Sequence, residues 1–235
     1  TTRAGGGTTT TCAYSGPASG VQLNAPRGVA VDAAGTVYVA DTGNACIRKV
    51  DAGGNVTRVA GGGSTTSCAS ASVAATTLSL ASPSGLAVAP DGSVVVADTG
   101  SNCIRRITGP TATLVAGGGG STGCTTLSST SVSLSGPQGV AVTPSGDVVV
   151  ADTGNACVRR VSGTSVTRVA GGGTTSSCTA TSTPATVRLS APEGGSVAAD
   201  GSILVADTGR RCVRRVTATA VTQLALTSSA GGTGD

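Results

Sequence analysis

The sequence predicts an all-β protein, a four-bladed β-propeller of four-stranded antiparallel blades stapled by disulfides. Three observations predict it. One segment recurs four times, at 28–50, 85–107, 139–161 and 194–216. Each copy carries short runs of β-branched residues separated by turn chemistry. Eight cysteines recur in step with the repeat.

The period comes first. The first copy reads GVAVDAAGTVYVADTGNACIRKV, and its motif aspartates Asp41, Asp98, Asp152 and Asp207 stand 57, 54 and 55 residues apart. A period near 50 belongs to propellers and solenoids. The strands come next: in copy one they are expected at 28–31, 36–40, 46–50 and 56–60. Ala-Ala-Gly, Asp-Thr-Gly-Asn and Ala-Gly-Gly-Asn separate them, residues that tolerate positive φ. Four such strands in a meander make one blade. Apolar runs at 94–97 and 148–151 suit strands covered on both faces. No run of ten or more residues carries a helical apolar stripe, which argues against an α/β alternative.

The blades are placed at about 26–62, 83–118, 137–172 and 192–226, within one domain. An N-terminal strand and loop, 1–25, precede them, and a tail, 227–235, follows. Ser/Thr/Gly-rich connections such as 61–84 exceed the usual loop of about 4–6 residues and are expected to cover one face of the disc. Segment 1–6 repeats the end of an outer strand, and 220–226 is the last copy's own candidate. Five candidates thus compete for four places, and the loser, an unpaired edge, is available to a partner by strand addition.

Hydrophobic residues make up 38% of the chain, yet Phe, Trp, Met and His are absent and only Tyr14 and Tyr38 are aromatic. Any core must be Val, Ala, Leu and Ile, each of which buries less area than an aromatic ring. Staples are the expected supplement. An even cysteine count in a Gly-, Ser- and Thr-rich chain reads as four disulfides and an oxidising compartment, hence an extracellular protein, secreted or at the cell surface. Each loop offers one cysteine (Cys12, Cys68, Cys124, Cys178) and each third strand another (Cys46, Cys103, Cys157, Cys212). Two schemes satisfy the repeat. One pairs Cys12 with Cys46, Cys68 with Cys103, Cys124 with Cys157 and Cys178 with Cys212. The other pairs Cys46 with Cys68, Cys103 with Cys124, Cys157 with Cys178 and Cys212 with Cys12. Zinc is not expected, because the cysteines lie 21 to 35 residues apart and there is no His.

Net charge is +4 and mean hydropathy +0.24. That balance, without stacking aromatics, argues against nucleic acid. No stretch reaches the ~18 apolar residues of a membrane span, so no membrane insertion is expected. Neither an initiator Met nor a signal-peptide core is present, and the chain reads as a mature or excised piece.

Asp-Thr-Gly occurs four times and is also the signature of aspartic proteases, where two such loops must converge. Symmetry instead spreads these around a ring, so Asp41, Asp98, Asp152 and Asp207 are assigned to turns and salt bridges. The fragments around Asp91 and Asp200 resemble calcium loops, but the copies at 33–35 and 144–146 lack the acid. They read as hairpin turns. Basic doublets (Arg48 and Lys49, Arg105 and Arg106, Arg159 and Arg160, Arg214 and Arg215) alternate faces, one toward a motif Asp and one toward solvent or acidic glycans. Glycine runs such as 117–120 lack the Lys-Ser or Lys-Thr of a phosphate loop. Asn55 heads the only standard N-glycosylation sequon, and the clusters 8–11 and 64–67 suit O-glycans.

The phrase ADTGN followed by Ile-Arg-Lys, the trailing VTRVAGGG and the leading LNAPRGVAVD resemble the NHL-repeat β-propellers. All four copies keep Pro-x-Gly, with Pro26, Pro83, Pro137 and Pro192, and Ala-Asp-Thr-Gly. The resemblance implies the propeller, and some relatives of that fold are metal-dependent lyases or hydrolases. Such sites need converging His or acidic ligands, and here there is no His and Glu193 is the sole Glu. The expectation is therefore no enzyme, with no catalytic residue, no metal and no cofactor. The expected function is a non-catalytic extracellular structural or interaction scaffold, self-assembling into a filament, matrix or surface structure. Its expected partners are copies of itself or tandem repeats of the domain, and glycans or another surface protein. The alternative is an extracellular glycan- or protein-binding module.

Overall fold

The computed structural model describes residues 4–65, 68 and 72–224. Residues 1–3 of the N-terminal outer-strand candidate, 225 and 226 of the C-terminal one, the tail 227–235, and residues 66 and 67 of one Ser/Thr cluster lie outside that set.

Four antiparallel sheets follow one another along the chain, one for each repeat, giving a four-bladed β-propeller. Blade one holds β1 (Gly16–Pro17), β2 (Val29–Val31), β3 (Val37–Asp41), β4 (Cys46–Val50) and β5 (Asn55–Gly61), in spatial order β1-β5-β4-β3-β2. Blade two holds β6 (Ser72–Ala74), β7 (Pro83–Val88), β8 (Val94–Asp98), β9 (Cys103–Thr108) and β10 (Thr111–Gly117) in the same order. Blade three repeats it with β11 (Leu127–Ser128), β12 (Val140–Val142), β13 (Val148–Asp152), β14 (Cys157–Ser162) and β15 (Ser165–Gly171). Blade four is β16 (Pro192–Val197), β17 (Ile203–Asp207), β18 (Cys212–Val216) and β19 (Val221–Leu224).

Each of the first three sheets gains a short fifth strand, β1, β6 or β11, from the polar connection before the blade. It pairs with the outermost strand and covers an edge that would otherwise be open. In blade four, Ser182 serves the same purpose by exchanging two backbone hydrogen bonds with Val221. The outer place of blade four is taken by β19, paired with β18 from Val216↔Val221 to Val213↔Leu224. The N-terminal segment runs elsewhere: Gly5 and Gly7 donate to the carbonyls of Ala18 and Val21, beside blade one's own loop.

Three apolar clusters bind the blades together. Ala40 and Ile47 of blade one meet Leu86, Val96 and Ile107 of blade two. Val95, Ala97 and Ile104 of blade two meet Val140, Val150 and Val161 of blade three. Val149 and Val158 of blade three meet Ile203, Val205 and Val216 of blade four. The fourth cluster, Ala18, Val21, Val50 and Val56, lies within blade one and its loop. Among the described residues, no cluster joins blade four to blade one.

Glycine at the head of each inner strand makes the three interfaces possible. A Cβ on Gly28 would collide with the Ser84 carbonyl, one on Gly85 with that of Gln138, and one on Gly139 with that of Glu193. The threonine of Ala-Asp-Thr-Gly completes each junction. Thr42 donates to the Pro83 carbonyl at 2.6 Å, Thr99 to Pro137 at 2.7 Å and Thr153 to Pro192 at 2.7 Å.

Candidate functional site at the channel mouth

The motif aspartates end the second strand of every blade and are fully enclosed. Asp152 shows the arrangement. Its Oδ1 accepts the Ser135 amide at 2.8 Å, and its Oδ2 accepts Arg159 Nε at 2.7 Å and Asn155 Nδ2 at 2.9 Å. Asp41 and Asp207 repeat the ion pair with Arg48 and Arg214, each at 2.7 Å. Asp98 accepts the Ala81 amide at 2.7 Å, and burial, partly offset by that amide, pushes its carboxyl above the usual range. The arginines reach further: Arg48 Nη2 donates to the Thr11 carbonyl and Arg159 Nη2 to that of Gly123, each just before a loop cysteine. Every carboxylate is held inside its own blade, so these four loops do not form a protease dyad.

The bridges join Cys12 to Cys46, Cys68 to Cys103, Cys124 to Cys157 and Cys178 to Cys212. Each ties a connection to the third strand of the blade that follows it. Cys178, Asp207 and Cys212 form a group of metal-ligand types, but both sulfurs are in a disulfide and the carboxylate is engaged by Arg214 and the Ser190 amide. The second members of the doublets face outward. Arg106 donates to Ser93 Oγ at 2.9 Å and to the Gly146 carbonyl of the next blade at 3.1 Å. Arg215 pairs with Asp200, whose carboxyl is lowered to about 2, first by the Ser202 hydroxyl and then by the Ser202 amide. Asn55 is exposed where β5 begins, its amide donating to Asp51 at 2.8 Å.

The four inner strands line a central channel, with a cavity at each end. One end, about 700 Å³, is lined by the hairpin turns between first and second strands, largely Ala, Pro and Val. Its acid, Asp32, is occupied by the amides of Ala34 and Thr36, and the Thr36 amide is the main reason its carboxyl is lowered. The other end, about 500 Å³, gathers the middle residue of every Pro-x-Gly: Arg27, Ser84, Gln138 and Glu193. Pro and Gly are needed by the backbone there, whereas x is free, and the four copies fill it with a cation, a hydroxyl, an amide and a carboxylate. That is a set of donors and acceptors around one opening. Sequence reasoning passed over these residues because they are single unlike letters inside a repeat. Their difference within an otherwise repeated segment was the available signal.

The NHL repeat family model matches residues 23–50, 80–107 and 134–161. Three of the four blades thus carry NHL repeats. A comparison with curated protein sequences found no match. Among solved structures, the NHL propeller is similar to a virginiamycin B lyase from Staphylococcus aureus, with TM-score 0.59 and 15% identity over 90% of this chain and 59% of that one. It is similar to an auxiliary nutrient binding protein from Bacteroides ovatus, with TM-score 0.63 and 18% identity over 84% and 49%. A third is a gluconolactonase from Xanthomonas campestris, with TM-score 0.57 and 16% identity over 85% and 61%. The chain therefore spans about half to three-fifths of these proteins, and at such identities the likeness is one of fold.

Two of the three are enzymes, and this corrects the expectation that the chain is not one. Scarcity of His and Glu was a statement about ligand supply for one kind of site. The same propeller carries catalysis in its neighbours, so lack of those residues does not set this chain outside the catalytic members of the fold. The four disulfides are consistent with an extracellular protein, and among the described residues no helix is long and apolar enough to cross a membrane.

Proposed function

We propose that this NHL propeller is an extracellular interaction scaffold that captures a polar ligand, a glycan end in the first instance, at the mouth formed by Arg27, Ser84, Gln138 and Glu193. The observation that carries the reading is the chemical divergence of this one position across four otherwise similar copies, all four meeting at one cavity. The nutrient-binding neighbour, similar in fold, supports the same reading. A guanidinium takes carboxylate or sulfate in a bidentate fork, while amide, hydroxyl and carboxylate take sugar hydroxyls. Disulfide staples hold such a mouth rigid outside the cell, which lowers the ordering cost of binding.

Titration calorimetry of the oxidised protein against neutral, uronate-bearing and sulfated oligosaccharides tests this. Arg27→Ala is expected to weaken acidic sugars by about tenfold or more, and Gln138→Ala to weaken all three. Affinities unchanged in both variants, or no binding by the parent, would remove the mouth from consideration.

A further inference from the structure

We infer that the two lateral faces left open among the described residues, one on blade one and one on blade four, are the two halves of a single interface, and that blade four of one copy seats on blade one of a second copy, head to tail. The three internal interfaces define what a completed junction looks like. In the first two, the first face of the following blade buries its inner-strand residue, Leu86 at 8% and Val140 at 7% exposure, while at the third that place is held by Gly195. The equivalent Val29 is 65% exposed and Val31 58%, and no other large hydrophobic side chains stand so far out among the described residues.

Blade four shows the matching half. Val95 and Val149 are buried on the second faces of blades two and three, as are Ile104 and Val158. Their counterparts Leu204 and Val213 are only half-buried. The junction groups are also in waiting. Thr208 is exposed and, among the described residues, has no proline carbonyl like those that receive Thr42, Thr99 and Thr153. Gly194, where three sister glycines are pressed by the next blade's carbonyl, would place a Cβ no nearer than 3.8 Å to anything.

Three like apolar interfaces join the blades in sequence, and among the described residues none joins blade four to blade one, so the same packing is free to continue into another blade. Charge favours the join. Middle residues of Pro-x-Gly are neighbours around the channel, so the second copy's Arg27 would follow Glu193, a cation beside the chain's sole glutamate. Such a contact is heterologous, and it closes into a ring of copies or extends as a filament according to its rotation.

Sedimentation of the oxidised full chain over a concentration series tests the inference. The parent is expected to associate. Gly194→Ala, whose added methyl has room in the single copy and would meet a carbonyl only in the assembly, is expected to keep the parent's thermal midpoint while weakening association by about 10- to 100-fold. Val31→Asp and Leu204→Asp each spoil one face. Each is expected to be monomeric alone, and their equimolar mixture to give a dimer and nothing larger, since one intact pair of faces remains. A parent that stays monomeric throughout, a Gly194→Ala protein that associates like the parent, or either aspartate variant associating by itself would overturn the inference.

Discussion

Arg159 sits wholly inside blade three with its charge answered at 2.7 Å by Asp152, so the two residues are stable only together. Truncating the acid alone leaves a buried, uncompensated guanidinium. Asp152→Ala is therefore expected to lower unfolding free energy by about 3–5 kcal/mol, read by urea unfolding without reductant. A loss below ~1 kcal/mol would mean that the arginine finds other partners. Protonation divides the aspartates further. Asp98 is raised above 3.8 by burial, so its stabilising contribution is complete below 3.8 and lost as pH rises through the higher folded value. Asp200 is lowered to about 2 by the Ser202 hydroxyl, so its contribution is complete above 3.8 and lost as pH falls toward 2. A carboxyl NMR titration is expected to show Asp200 ionising well before Asp98. Coincident midpoints near 3.8 would refute both assignments.

At the scale of the element, each third strand is fixed from two sides. Its cysteine pairs in register with the motif aspartate, Asp152↔Cys157 in blade three, and is bonded to the loop that enters the blade. Closing a loop of 33 positions restricts the unfolded chain. Replacing Cys124 and Cys157 together by Ala is expected to cost about 3–4 kcal/mol, with strand content unchanged by circular dichroism. Equal stability of the double variant and the parent would show that the bridge adds nothing to the packing. These strands were legible in the sequence because β-branched runs and Asp-Thr-Gly turns recur at fixed spacing. The fifth strands were not, since β1, β6 and β11 are Gly, Pro, Ser, Ala, Val and Leu in polar loops and pair through backbone groups that leave no periodic trace. The doublets were half legible. Alternation assigned one member inward, as Arg48 and Arg159 confirm, but the onward reach of those arginines to the Thr11 and Gly123 carbonyls depends on where the loops fold back.

For the whole molecule, the number of blades followed from the repeat, whereas the channel mouth and the open faces depend on the angle between blades. That angle is set by side-chain volumes across an interface, with Gly at 28, 85 and 139 fixing the closest approach, and no pattern along one strand reveals it. Blades two and three are packed on both faces and blades one and four on one, so stability is expected to grade inward from the ends. Hydrogen exchange should be slowest in β8, β9, β13 and β14 and measurably faster in β3 and β17. Uniform protection across the four blades would contradict this. The bridges carry a mechanical consequence as well. They span 34, 35, 33 and 34 positions, together more than half of the 235-residue contour. Under tension the stretch between two bonded cysteines cannot lengthen, so pulling extracts only the third and outer strands and the few positions that lead to the next loop cysteine, at about 3.4 Å per residue, and then meets a hard stop. Reduction removes that stop and more than doubles the reach, which makes the redox state of its surroundings the setting of this protein's extensibility.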